Sequence, residues 1–171
     1  QKQREGGIAS EVELRPLILL PPRKWLYTRC DERFAHMIDG GATSEVEALL
    51  GAPDVATPLG LRDRAMLELL YATGLRVSEI VGLGRDAVDL EAGILRVTGK
   101  GGKERLVPFG KSAAAWLARY IEVARPPLDG KRSPHLFLSS RGAAMTRQRF
   151  WQLIERYGRA AGIRRRLTPH A

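Results

Sequence analysis

The stretch that decides the fold is ILRVTGKGGKERLVP, residues 94–108. Its two ends, residues 94–98 and 104–108, are rich in aliphatic and β-branched side chains, which favour strands. The five residues between them, 99–103, contain three glycines and two lysines. Two short apolar runs joined by a glycine-rich turn predict an antiparallel β-hairpin.

Helical periodicity begins on both sides of this hairpin. Leu61, Ala65 and Leu69 recur at helical spacing, with Met66 and Leu70 on the same face, and Gly74 is a suitable helix end. The polar side chains Arg62, Asp63 and Glu68 fall outside this apolar face. A short helix is predicted at about 44–50, where Ser44 and Glu47 have the spacing of a capping box. Three further helices are predicted: a short one that contains Val77, Ile80 and Val81, one at about 112–124, and one at about 146–161 that ends before Gly162. Pro126-Pro127 predicts a loop, and residues 136–138 are a candidate third strand. The predicted fold class is therefore mainly α with a small antiparallel β-hairpin or sheet, an α+β domain.

The two ends of the chain are less regular. Residues 1–42 carry Pro16, Pro21, Pro22 and Gly40-Gly41, and are interpreted as a linker or arm. At the other end, Thr168 is a good N-cap and Pro169 a good first helical residue, although the chain stops at Ala171. We therefore expect a truncated domain.

The charge is strongly asymmetric. The 171 residues carry a formal net charge of +9, but residues 1–130 hold 18 Lys/Arg and 18 Asp/Glu. Residues 131–171 hold ten Lys/Arg and a single acid, Glu155. This asymmetry predicts a polyanionic partner, with nucleic acid the first choice. The alternative is a solvated basic face.

Several classes of protein are excluded by composition. A single cysteine, Cys30, cannot form a disulfide framework, and no group of His, Asp, Glu or Cys has metal-ligand spacing. We therefore predict no metal and no cofactor. No apolar run approaches the ~20 residues of a membrane span, so a soluble, cytoplasmic protein without a membrane partner is expected.

Three positions before and within the hairpin could carry chemistry. Lys100 lies among the three glycines, where a lysine can deliver a proton or a charge to a closely approaching ligand. Arg76 follows the predicted helix end at Gly74, with Glu79 three residues further on as an acidic partner. The alternatives are a solvated hairpin lysine and an ordinary structural ion pair.

The basic C-terminal region offers a second set of candidates. Arg147, Gln148 and Arg149 open the last helix, and Arg and Gln are the residue types that bind guanine and adenine edges in a major groove. His170 lies near the apparent helix start at Thr168, where it could bind an anion or transfer a proton. A basic solvent face and an ordinary first-turn histidine are the competing interpretations.

Three motifs together resemble one family. The motifs are residues 72–79 (ATGLRVSE), residues 98–108 (TGKGGKERLVP) and residues 167–171 (LTPHA). In the order and spacing of these motifs, the sequence resembles bacterial tyrosine recombinases of the Xer type, the phage-integrase family. The resemblance covers about residues 43–171 and implies the catalytic domain of such an enzyme. Residues 1–42 would be a remnant of the end of the core-binding domain and its linker.

The resemblance implies a role for each motif. Arg76 would clamp the scissile phosphate while Glu79 holds it, and Lys100 would protonate the leaving 5′ hydroxyl from the minor groove. His170 would open the family's His-x-x-Arg motif. Lys103, Arg147, Gln148 and Arg149 would contact duplex DNA. The physics agrees, because attack on a phosphodiester builds negative charge that fixed cations stabilise.

The chain departs from the family in its nucleophile. Tyr27, Tyr71, Tyr120 and Tyr157 all precede His170, whereas the family's nucleophile follows it. We therefore expect a fragment that is inactive alone, from a parent that cuts and rejoins double-stranded DNA through a 3′-phosphotyrosyl intermediate as a tetramer on paired sites. One alternative is a non-catalytic duplex-DNA-binding module on the same scaffold. Another is an RNA-binding or ribosome-associated basic domain, which the shortage of stacking aromatics in the basic region disfavours.

Overall fold

The computed structural model describes residues 22–99, 102–130 and 132–164. The chain divides into two compact units between Gly41 and Ala42. The first contains helix α1 (Arg23–Asp39). The second contains α2 (Ala42–Gly51), α3 (Pro58–Thr73), α4 (Val77–Gly82), a 3₁₀ turn (Arg85–Ala87), β1 (Val88–Asp89), β2 (Ile94–Thr98), β3 (Glu104–Pro108), α5 (Lys111–Arg119), a π-helical turn (Tyr120–Ala124), α6 (Arg125–Leu128) and α7 (Arg147–Ala160).

Helix α1 was not expected from the sequence. The prolines and glycines that suggested an irregular arm lie outside it: Pro22 precedes its first turn and Gly40 follows its last. The 17 residues between them contain neither breaker, so a helix can form, yet none of its residues is buried. The rest of the predicted arm, residues 1–21, lies outside the described residues.

Helix α3 is the centre of the second unit. It begins at Pro58, where the hydroxyl of Thr57 accepts a hydrogen bond from the backbone N–H of Gly60 at 3.0 Å. It ends at Gly74, whose positive φ of 60° is a left-handed conformation that glycine adopts without steric cost. The predicted helix and its end are confirmed, and its start lies three residues earlier than Leu61.

The polar residues of α3 are buried, contrary to the amphipathic interpretation. Arg62, Asp63 and Glu68 are all at most 5% exposed. The reason is that α2, α5, the π-helical turn and α6 all pack against α3, so no side of its middle faces water. Each buried group is paired: Arg62 binds Asp63, and Glu68 accepts hydrogen bonds from Arg64 and Ser112. Pairing is what makes such burial tolerable.

The predicted hairpin is confirmed and is part of a three-stranded antiparallel sheet of order β1-β2-β3. Leu95 pairs with Val107 and Val97 with Arg105. The third strand, however, is Val88–Asp89 and not residues 136–138. The backbone groups of Leu136 have other partners and do not pair with the sheet: its N–H donates to the carbonyl of Leu83, and its carbonyl accepts from the Tyr120 hydroxyl. Among the described residues, the only β-pairing of Leu138 is an isolated bridge to Ala144.

Two helix boundaries also differ from prediction. Ser44 lies inside α2, which begins at Ala42, so it is not the N-cap. Pro126 and Pro127 do not form a loop but stand in α6, which follows the π-helical turn without a break. The last helix is confirmed: Thr146 caps α7 with its hydroxyl, which accepts from the N–H of Arg149 at 3.1 Å.

Candidate nucleic-acid interface

Arg76 stands immediately before α4, in extended backbone between the end of α3 and the first turn of the next helix. Its side chain is 75% exposed. Its only ion pair among the described residues joins one guanidinium nitrogen to Glu79 Oε1 at 3.3 Å. The guanidinium therefore presents most of its donors to solvent.

Glu79 anchors this corner of the molecule. Its side chain is only 8% exposed, and its Oε2 accepts a hydrogen bond from the backbone N–H of Arg76 at 2.9 Å. This is the reciprocal half of a capping box, in which a glutamate in the first turn satisfies the N–H of the residue before the helix. The position of the Arg76 backbone is thus fixed by a carboxylate three residues along the chain.

Arg105 is the functional candidate that sequence reasoning missed. Its guanidinium binds Glu79 with both arms, NH1 to Oε1 at 3.0 Å and NH2 to Oε2 at 2.9 Å. Strand alternation could have suggested it, since Arg105 pairs with the buried Val97 and so shares the inward face of the sheet. A bidentate arginine–carboxylate pair is the strongest of the common charged contacts.

The pKa of Glu79 is lowered from its ordinary value of 4.5. The hydrogen bonds from Arg105 are the main cause, and the N–H of Arg76 acts in the same direction, while burial opposes both. Glu79 is therefore a carboxylate at neutral pH. The pKa of Arg105 is raised by the same pair.

The hairpin turn directly precedes the strand that carries Arg105, and a backbone hydrogen bond joins the two ends of the turn. The N–H of Gly99 donates to the carbonyl of Lys103 at 2.8 Å, and Gly102 has a φ of +75°. Lys103 is exposed on this turn. Lys100 lies outside the described residues, as does His170, so their predicted roles remain predictions.

Helix α7 presents the predicted basic turn to solvent. Arg147, Gln148 and Arg149 are exposed, while the opposite face buries Phe150 and Leu153 in the core. The helix also packs against α4, the helix that follows Arg76. The structure thus joins Arg76, Glu79 and the hairpin through Arg105, and places α7 against the same short helix.

Two of the four tyrosines, Tyr120 and Tyr157, are buried and have hydrogen-bonded hydroxyls, which makes them unsuitable as nucleophiles. The hydroxyl of Tyr120 donates to the carbonyl of Leu136 and accepts from the N–H of Leu138, and that of Tyr157 donates to Asp63. Burial is the main factor that raises the pKa of each tyrosine to about 12. Tyr27 and Tyr71 are exposed.

Within residues 22–99, 102–130 and 132–164, no group of three or more His, Cys, Asp or Glu side chains could hold a metal ion. No helix in the same ranges combines the length and the apolar character needed to cross a bilayer.

The second unit is thus mainly helical, and a bidentate arginine–glutamate pair joins its β-hairpin to the helix that Arg76 precedes. The model of the Phage integrase family matches residues 42–171. The chain belongs to this family.

The relatives that it matches are recombinases of the type that the motifs suggested. It is 57% identical over 129 residues to the tyrosine recombinase XerD of Ralstonia nicotianae, and 56% identical over 128 residues to that of Pseudomonas putida. These matches cover 74% of this chain but 42% and 43% of the relatives, so the chain spans less than half of their length. The predicted Xer-type resemblance is confirmed.

Solved structures agree with the fold. The crystal structure of XerA recombinase matches with a TM-score of 0.65 at 29% identity, covering 74% of this chain and 44% of that one. XerH site-specific recombinase bound to palindromic difH substrate matches with a TM-score of 0.61 at 25% identity, covering 72% and 36%. The lambda integrase catalytic core shares the fold alone, with a TM-score of 0.54 at 19% identity, over 74% of this chain and 73% of that one. The mainly helical, tyrosine-recombinase-like fold class is confirmed.

Proposed function

We propose that residues 43–171 are the part of a site-specific tyrosine recombinase catalytic domain that grips duplex DNA and presents Arg76 to the scissile phosphate. Residues 1–42 would then be the remnant of a core-binding domain and its linker. The full-length parent would cut and rejoin DNA as a tetramer on paired sites. This chemistry would need no cofactor, because cations and donors of the protein itself would stabilise the phosphate.

The observation that carries the proposal is the state of Arg76. Its backbone is fixed by Glu79, yet its side chain is 75% exposed and makes a single ion pair, at 3.3 Å, among the described residues. An exposed guanidinium on a fixed backbone, with most of its donors unused, is suited to a phosphate, to which arginine donates two parallel hydrogen bonds. Lys100 would be the general acid for the leaving oxygen, and His170 would be a further donor to the phosphate.

The DNA groove would be contacted by two exposed elements. Lys103 lies on the hairpin turn and Arg147, Gln148 and Arg149 on the first turn of α7. The XerH structures, one of which is a post-cleavage complex with difH substrate, support double-stranded DNA as the partner. The net positive charge of residues 131–171 supports the same partner, since phosphate neutralisation supplies most of the affinity of such proteins for DNA.

This proposal is tested by measuring the affinity for duplex DNA of two variants that each lose two positive charges, on α7 in one variant and on α5 in the other. The double variant Arg147→Ala/Arg149→Ala should weaken binding to a fluorescent duplex, each base contact contributing about 1–3 kcal/mol. If the two arginines bind phosphates instead, the slope of log affinity against log salt should fall by about two. The matched control is Lys111→Ala/Arg119→Ala, which removes two exposed cations from α5.

Equal losses in the two double variants would refute groove docking by α7 and leave only a diffuse basic face. Tighter binding to single-stranded RNA than to duplex DNA of the same length would instead favour the RNA-binding alternative.

A further inference from the structure

We propose that Arg105 is a positioning residue: it holds the carboxylate of Glu79 so that the guanidinium of Arg76 stays available to a phosphate. This inference rests on the proposed function, because it concerns the same arginine. Arg105 would not itself be the phosphate ligand. Its effect would pass through Glu79.

The geometry ranks the two arginines clearly. Arg105 makes two short contacts with Glu79, at 2.9 and 3.0 Å, and occupies both carboxylate oxygens. Arg76 reaches the same carboxylate with one nitrogen at 3.3 Å. Since charged hydrogen bonds weaken with distance, Arg105 is the principal partner of Glu79 and Arg76 the subordinate one.

Burial explains why Glu79 needs a principal partner. Its side chain is 8% exposed, and a carboxylate that has lost most of its water requires a cation. If Arg105 were removed, the nearest cation would be Arg76, which is already in contact. Arg76 would then close onto Glu79 as a bidentate pair and lose the donors that a phosphate needs.

The same pair connects two elements that the proposed reaction uses together. Glu79 lies in the first turn of α4, and Arg105 lies on β3, two residues after the exposed Lys103 of the hairpin turn. The two residues are 26 positions apart in the chain. The pair therefore fixes the hairpin relative to the helix that Arg76 precedes.

A direct phosphate contact by Arg105 is the competing explanation, because its side chain is 43% exposed. The two explanations differ in what Glu79 does. If Arg105 acts through Glu79, removing the charge of Glu79 should rescue the loss of Arg105. If Arg105 binds phosphate directly, that second substitution should rescue nothing.

The test is a set of variants of the 171-residue chain, each measured for affinity to one fluorescent duplex at fixed salt. Arg105→Ala should weaken binding about tenfold, the loss expected for one charged hydrogen-bonded contact. Arg105→Ala/Glu79→Gln should recover most of this loss, and Arg105→Lys should lie between wild type and Arg105→Ala. Arg76→Ala/Arg105→Ala should bind no more weakly than Arg76→Ala alone. Arg96→Ala, which removes an exposed cation from neighbouring β2, is the charge-matched control.

Additive losses for Arg76→Ala and Arg105→Ala, or no rescue by Glu79→Gln, would overturn the inference while leaving the proposed function in place. Wild-type affinity of Arg76→Ala would instead refute the proposed function. The inference can still be judged without DNA, by NMR titration of the Glu79 carboxyl. The Glu79 pKa should rise more in Arg76→Ala/Arg105→Ala than in Arg105→Ala alone, because Arg76 takes over the carboxylate when Arg105 is absent, and an equal rise in these two variants would overturn it. Far-UV circular dichroism checks that each variant is folded.

Discussion

The hydroxyl of Tyr157 donates a 2.7 Å hydrogen bond to Oδ2 of Asp63, a residue 94 positions earlier in the chain. The other oxygen of Asp63 accepts two hydrogen bonds from Arg62, at 2.6 and 2.8 Å, and Arg62 also donates to the carbonyl of Leu138. These contacts join α7, α3 and the segment around Leu138 inside the core. The orientation of α7, and with it the direction of its basic first turn, therefore depends on a buried polar network as well as on apolar packing.

Removing the Tyr157 hydroxyl tests that network. In Tyr157→Phe, Asp63 loses one partner but keeps Arg62, so we expect the free energy of unfolding to fall by about 1–3 kcal/mol. Urea denaturation followed by circular dichroism measures the change. Tyr71→Phe is the control, because the Tyr71 side chain is exposed, and it should change stability little. Equal stability of both variants would show that the hydrogen bond contributes nothing.

The two buried tyrosines, Tyr120 and Tyr157, predict a loss of stability at high pH. The pKa of Tyr120 rises from 10.0 to about 12 in the folded chain, mainly through burial. Between these values the unfolded chain loses the tyrosine proton and the folded chain keeps it, so the contribution of Tyr120 to stability is fully present below pH 10 and declines above it. A shift of this size corresponds to about 3 kcal/mol for Tyr120 at the upper limit. Tyr120→Phe should flatten the decline between pH 10 and 12 in urea denaturation, and an unchanged slope would contradict the assignment.

Acid should destabilise the chain for the opposite reason. The pKa values of Glu79 and Asp129 are lowered, by the hydrogen bonds from Arg105 and from the N–H of Ser133 respectively. Their stabilisation is present above the ordinary carboxyl pKa values of 4.5 and 3.8 and is lost as the pH falls through the lower folded values. We expect the free energy of unfolding to fall below about pH 4.5, and to fall less steeply in Glu79→Gln. A Glu79→Gln profile parallel to that of wild type would exclude Glu79 as a source of this acid sensitivity.

The sequence was most informative where the structure depends on neighbours along the chain. The contact between Arg76 and Glu79 spans three residues, and the hairpin is defined by a local change of period, so both could be predicted. Arg105 reaches Glu79 across 26 residues, and no local pattern specifies which carboxylate a strand arginine will meet. The burial of Arg62 and Asp63 was missed for a related reason, because it depends on four elements closing around α3. Strand β1 has two residues, too few to show an alternation.

The final prediction concerns strand cleavage by this chain. Recombination through a phosphotyrosine needs an exposed tyrosine whose hydroxyl is activated beside the clamped phosphate. Tyr120 and Tyr157 are buried with hydrogen-bonded hydroxyls, and neither Tyr27 nor Tyr71 has a hydrogen-bond partner among the described residues that would activate it.

Incubation of the chain with nicked duplexes, the palindromic difH sequence among them, should therefore give no covalent adduct on a denaturing gel. XerH, whose structure includes a post-cleavage complex with that substrate, is the positive control. An adduct at Tyr120 or Tyr157 would contradict the buried network. An adduct at Tyr71, five residues before Arg76, would mean that the nucleophile lies beside the first motif and that the family's order of catalytic residues does not hold for this chain.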